Sequence, residues 1–114
     1  ISKQDAKINW SDSAEKIGRT VRGYFPEPNA WTLENDLPLK IMSGFPVSDD
    51  EGAALGGNVD AVPGTVCAFS KAKGILVRCG SGFYAVTKLQ RQGKNAMDYK
   101  SFMNGAKNFI GTVL

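Results

Sequence analysis

The chain has 114 residues, 42% of them apolar and 22% charged, which is enough for one core and too little for two. Histidine is absent, so hydrolytic triads, imidazole acid–base steps and the common zinc ligand sets are excluded. The net charge of +3 is unevenly spread: residues 1–26 carry +2, residues 27–60 carry −6, and residues 61–114 carry +7. A basic C-terminal half of this kind can meet a polyanion, or can simply keep a small domain in solution.

The apolar runs are a few residues long, far short of the roughly 20 that a membrane helix needs. No charged-then-apolar start marks a secretory leader. Because the chain opens on Ile1 rather than Met, it is expected to be part of a longer protein. With no membrane run, no leader and only two cysteines it is expected to be soluble and cytoplasmic, and a monomer is expected.

In chain order, the first predicted element is a helix from Ser11 to Tyr24. Ser11 is a candidate cap, or Asp12 and Glu15 a capping-box pair. Ala14, Ile17, Val21 and Tyr24 recur at three- and four-residue intervals, a stripe that should face a core, with Lys16, Arg19 and Arg22 outside it. Gly18 lies on the apolar side, tolerable if another element packs close. Pro26 and Pro28 end the helix and force an extended path.

Residues 30–33 and 37–45 then read as two strands joined by a turn at 34–36. Leu37, Leu39 and Ile41 share one face of the second strand, Lys40 and Met42 the other. Residues 48–62, rich in Ser, Asp, Glu, Gly and Ala, are expected to be a long mobile surface loop. Pro63-Gly64 opens a strand to Phe69, followed by strands at 75–79 and 83–90 in a meander of two hairpins. A short helix at 99–104 ends the pattern, with Asp98 as its cap and Gly105 as its stop. Five short strands between two helical pieces predict a mainly β, OB-like five-stranded Greek-key barrel, with an N-terminal amphipathic helix and a short C-terminal helix. Such barrels often bind nucleic acid, but the fold does not assign that role.

Several blocks also carry a family resemblance. Ile8-Asn9-Trp10-Ser11, Ala14-Glu15-Lys16-Ile17 and Arg19-Thr20-Val21-Arg22 resemble the opening of the C-terminal domain of methionyl-tRNA formyltransferases. Pro26-Glu27-Pro28-Asn29-Ala30-Trp31-Thr32 is similar to that family's P-x-P-G-A-W-T. Pro63-Gly64-Thr65-Val66, Leu89 to Met97 and Phe102-Met103-Asn104-Gly105 resemble three further blocks in the same order. Asn95 stands where the family usually has a second basic residue, Phe25 where it has Asn, and Asn29 where it has Gly.

The resemblance implies an OB-like domain over residues 8–114, with residues 1–7 the end of an interdomain linker. It implies a separate Rossmann-type catalytic domain that uses 10-formyltetrahydrofolate as co-substrate and carries the catalytic Asn, His and Asp. This chain would then hold no cofactor and no catalytic residue. Its partners would be initiator tRNA and its own N-terminal formyltransferase domain. A related domain follows the catalytic module of 10-formyltetrahydrofolate hydrolases and dehydrogenases. That alternative gives a purely structural role, and a general nucleic-acid-binding OB module is another.

On the tRNA reading, phosphate contacts are expected from Lys94, Arg91, Lys88, Arg78, Arg19 and Arg22. Arg19 and Arg22 could equally fork onto a neighbouring carboxylate, and Glu15 lies four residues before Arg19. Lys71 and Lys73 are expected to be plain solvated charges, and Lys40, among acidic neighbours in sequence, to matter little. Trp10 and Trp31 could stack bases, though core positions are expected for both. Cys67 and Cys79 fall on the two strands of one hairpin and should be free thiols without metal.

Overall fold

In the computed structural model, which describes residues 3–114, helix α1 (Ala14–Tyr24) buries Ala14, Ile17, Gly18 and Val21. Its cap is Ser13 rather than Ser11 or Asp12, the Ser13 Oγ accepting from the Lys16 N–H at 3.1 Å. The reason lies across the chain. The Asp12 carbonyl accepts from the Gly80 N–H and the Ala14 N–H donates to the Ser81 carbonyl, both at 2.9 Å. Those bonds pin residues 12–14 to a distant turn, so the helix starts at Ala14 with Ser13 as its cap. Tyr24, expected in the buried stripe, is half-exposed. Of the residues read as linker, Ile1 and Ser2 lie outside the described residues, while Lys3–Ala6 form a 3-10 turn that buries Ala6.

Strands β1 (Ala30–Glu34) and β2 (Leu37–Val47) form a hairpin through Asn35 and Asp36, which have φ of 49° and 68°. Two residues in the left-handed region give a turn whose twist matches the strands it joins. The meander follows as β3 (Val66–Ser70), β4 (Gly74–Arg78) and β5 (Phe83–Arg91), and a two-residue β6 (Met97–Asp98) pairs with β5. The order is β1-β2-β5-β4-β3, antiparallel throughout. Five principal strands with an N-terminal helix and a short C-terminal helix make the mainly β class that the sequence predicts.

Both outer strands are covered by terminal segments, which satisfies backbone groups that would otherwise invite aggregation. The Ile8 N–H donates to the Trp31 carbonyl at 2.8 Å beside β1. Beside β3, the Val66 N–H donates to the Thr112 carbonyl and the Gly111 N–H to the Val66 carbonyl, each at 2.8 Å. Helix α3 (Tyr99–Gly105) starts where expected, the Asp98 carboxylate accepting from the Ser101 N–H at 3.0 Å, and includes Gly105 as its last residue. One core gathers residues from α1, all five principal strands and α3, among them Ile17, Ala30, Ile41, Val66, Val77, Tyr84 and Phe102.

The 48–62 segment departs most from expectation. It holds a helix, α2 (Asp49–Ala54), capped by Ser48. The segment covers a second apolar cluster of Val47, Leu76, Phe83 and Ala85, packed by Phe45, Leu55, Cys67 and Ala68. Gly52 and Gly57 lie flat on the Phe83 ring: a Cβ on either would come closer than 3.0 Å to it. The Asp49 carboxylate latches the start of the helix, accepting from Arg78 Nη1 at 2.6 Å and from the Gly82 N–H at 2.8 Å. The acidic composition that suggests a solvated loop thus supplies one carboxylate to an ion pair, while glycine and alanine supply the close fit.

The hairpin does not bring the two thiols together. Cys67 packs with the second cluster and Cys79 with the main core, on opposite faces of the sheet. Burial pushes the Cys79 thiol up to about 12.

Two outcomes follow from the α2 latch. Gly52→Ala should lower stability by about 1–3 kcal/mol through overpacking on Phe83, whereas Gly23→Ala, with nothing within 4 Å of the new Cβ, should be neutral or gain about 0.5–1 kcal/mol. Urea denaturation midpoints separate the two. The Arg78 hydrogen bond, then the Gly82 N–H, hold the Asp49 carboxyl below the usual aspartate range. A carboxyl depressed in the folded state stabilises fully above its unfolded value, and that stabilisation is lost as pH falls through the folded value. Protection factors of the amides in residues 50–57 should therefore fall below about pH 4, and Asp49→Asn should lower them already at neutral pH.

Candidate nucleic-acid interface

Alternation along β2 sends Leu39 and Ile41 into the core and Lys40 and Met42 outward. Lys40 lies in register with Trp31 on β1 and with Gln90 on β5, so a Trp–Lys–Gln row crosses three strands. A bulge between Ile41 and Gly44 shifts the register, and beyond it Phe45 and Val47 face the cluster under α2. One outer surface is thereby divided over about 23 Å, the length of seven residues of strand. An acidic helix seals one end, and the other end is open and basic.

Lysines gather at that open end. Lys3 and Lys7 stand over the Trp31 ring at 5.9 and 5.5 Å from its centroid, and Trp31 Nε1 donates to the Lys3 carbonyl at 2.7 Å. Lys3, Lys40 and Gly93 border one cleft. Lys94 is exposed on the turn after β5, and that turn is firmly held. The Lys94 N–H donates to the Arg91 carbonyl at 3.1 Å, and its carbonyl accepts from Gln90 Nε2 at 2.8 Å. Gly93 supplies the positive φ, 74°, that the turn needs. Lys88 is exposed and borders a second cleft with Arg22, against Met42 and Phe25. Met42, at the bulge, is two residues from Lys40 along β2. Neither Lys88, Lys94, Arg19 nor Arg22 makes an ion pair among the described residues, Glu15 included.

The remaining two arginines of the predicted set are each paired with a carboxylate, Arg78 buried and Arg91 partly exposed. Arg78 is 8% exposed, bonded to Asp49 and to the Gly82 carbonyl, with its guanidinium 4.8 Å from the Phe83 centroid. It clamps α2 and cannot present a fork to phosphate. Arg91 makes a bidentate pair with Glu34 at 2.9 and 2.7 Å and covers the Phe102 ring at 4.6 Å. Its guanidinium closes the end of the core, and its backbone holds the Lys94 turn.

Lys40, read in sequence among acidic neighbours, has other neighbours across the strands. It belongs to the basic end, because strand pairing puts Trp31 and Gln90 beside it while Glu34 turns inward to Arg91. Trp10 is in the core, its Nε1 donating to Thr32 Oγ1 at 2.9 Å, but Trp31 faces outward under its lysines. Strand alternation already placed Lys40 on an outer face; nothing local in the sequence linked Lys3 and Lys7 to Trp31.

Comparison with known proteins agrees with this architecture. The family model described as "Formyl transferase, C-terminal domain" matches residues 1–107. A methionyl-tRNA formyltransferase of Thiobacillus denitrificans is 37% identical over 114 residues, all of this chain and 34% of the relative. The Treponema denticola methionyl-tRNA formyltransferase is 33% identical over 110 residues, covering 96% of this chain and 33% of the relative. The chain thus spans about a third of the length of these curated relatives. Among solved structures, a variant of HypX from Aquifex aeolicus superposes with a TM-score of 0.72 at 14% identity, over 97% of this chain and 19% of that one. The same protein in complex with tetrahydrofolic acid gives 0.70 at 12% identity, over 96% and 18%. The fold is shared with HypX, and the sequence blocks, in register over nearly the whole length, make this chain a member of the formyl transferase C-terminal domain family.

Proposed function

We propose that this chain is the tRNA-binding C-terminal domain of a methionyl-tRNA formyltransferase. It holds initiator tRNA by its phosphates and presents the aminoacyl end to a separate formyltransferase domain, which takes the formyl group from 10-formyltetrahydrofolate. The observation that carries this reading is the basic surface made by the open end of β1–β2–β5 and the cleft beside α1. There Lys3, Lys7, Lys40, Lys88, Lys94 and Arg22 stand without carboxylate partners among the described residues. The basic groups neutralise phosphates and release condensed counterions, a sequence-independent attraction. Selectivity for the initiator then rests mainly with the catalytic domain. The likeness to HypX favours a second reading, in which the domain buttresses a folate-using module and never touches RNA.

Titration of labelled tRNA at several salt concentrations separates the two. Binding should weaken with salt at a log–log slope of about 0.7–0.9 per phosphate contact, with on the order of three to five contacts. Lys94→Glu and Lys40→Glu should each weaken binding to every tRNA alike and flatten the slope by more than one contact, since each removes an attraction and adds a repulsion. Lys73→Glu should change little, because Lys73 already faces Glu51 at 3.7 Å beside α2. No binding at low salt, or an equal effect from Lys73→Glu, would leave the structural role standing instead. Alone, the chain should give no formyl transfer to methionyl-tRNA in a purified assay, since it has no histidine to serve as the base.

A further inference from the structure

The cleft between the end of α1 and strands β2 and β5 has features beyond charge. Its volume is about 280 Å³, just below the range of about 300–1,000 Å³ typical of ligand pockets. Arg22 and Lys88 stand at its rim, and Phe25 and Met42 supply apolar walls. Phe25 is 51% exposed, an aromatic ring that the core does not use. Tyr84 also lines the cleft. Its side chain is fully buried, yet its hydroxyl has no hydrogen-bond partner among the described residues. A buried hydroxyl left unpaired is costly, but this one is closed off beneath the floor of the cleft, so the directional bonds open to a ligand are those of Arg22 and Lys88. An uncommitted ring and two cations suit a ligand with a flat apolar face and an anionic group.

Resting on the RNA-binding reading, we propose that this cleft seats one unstacked ribonucleotide of the bound RNA. Its base lies against Phe25 and Met42, and its phosphate lies between Arg22 and Lys88. Stacking on an aromatic ring is tolerant of base identity, so the site adds affinity and a fixed register without reading sequence. Met42 in the cleft and Lys40 in the basic row are two residues apart on β2, so the two sites lie within reach of one RNA strand.

The test uses the 114-residue chain and adenosine 5′-monophosphate as probe, followed by amide shifts in an NMR titration. The expected result is a set of shifts centred on Val21, Arg22, Phe25, Met42, Gly44 and Lys88, with the monophosphate bound at least about fivefold more tightly than adenosine or inorganic phosphate. Phe25→Ala should weaken the monophosphate and tRNA each by about fivefold or more, while leaving the salt slope for tRNA unchanged because no phosphate contact is lost. Lys94→Glu should do the reverse, flattening the slope and leaving the monophosphate in place. Shifts spread evenly over all lysines, or a monophosphate no tighter than phosphate, would overturn the proposal. A monophosphate seated in the cleft with tRNA binding indifferent to Phe25→Ala would overturn the RNA source in favour of a free nucleotide, with the basic row still the RNA contact. Failure of the wild type to bind tRNA at low salt would instead remove the RNA reading itself.

Discussion

The long antiparallel pairing of β2 with β5, from Leu39 opposite Arg91 to Val47 opposite Phe83, is the constraint on which the rest depends. Side chains on a strand alternate between faces, so a slip of one residue would exchange the whole inner set for the outer one. Leu39, Ile41 and Leu89 would leave the core, and Lys40 and Gln90 would enter it. Burial of the apolar set makes that slip prohibitive. The bulge between Ile41 and Gly44 is therefore a controlled change of phase. It keeps the inner face apolar while letting one outer surface be basic at one end and apolar under α2 at the other.

The arginines divide by what lies within reach of their forks. Arg78 finds Asp49 and an aromatic face, and Arg91 finds Glu34 and another aromatic face. A planar guanidinium can satisfy a carboxylate along its edge and cover a ring with its face. Both pairings tie together segments distant in sequence: β4 to α2, and β5 to β1 and α3. Lysines, with flexible stems and compact heads, are left for the surface. The open basic end consequently rests on lysines and on Arg22, a set suited to phosphate charge more than to base edges.

The Lys94 turn shows how the structural and surface roles connect. Arg91 anchors the turn through its carbonyl while its guanidinium closes the core end, and the Gln90 side chain holds the Lys94 carbonyl. The exposed ammonium thus projects from a backbone fixed at two points, which lowers the entropy lost when it meets an anion. The cleft at Arg22 and Lys88 differs. It owes its shape to the exit of α1 and to Tyr84 packed beneath, whose burial pushes its phenol up to about 12.

By itself the sequence determined the class of fold and the family. Helical spacing in 14–21, alternation in 37–42, turn residues at 35–36 and the ordered blocks from Ile8 to Gly105 are local signals, and local signals survive without coordinates. It also placed Lys40 on the strand face opposite Leu39 and Ile41. Only the tertiary structure decided which charges are free. Asp49 takes up Arg78 across 29 residues and Glu34 takes up Arg91 across 57, while Lys3 and Lys7 reach a tryptophan on β1. An ion pair is a matter of distance in space, and composition along the chain carries no record of it. For the same reason residues 48–62 read as a loose acidic loop: the Phe83 ring that orders Gly52 and Gly57 lies far along the chain, and glycine by itself signals freedom until something packs against it.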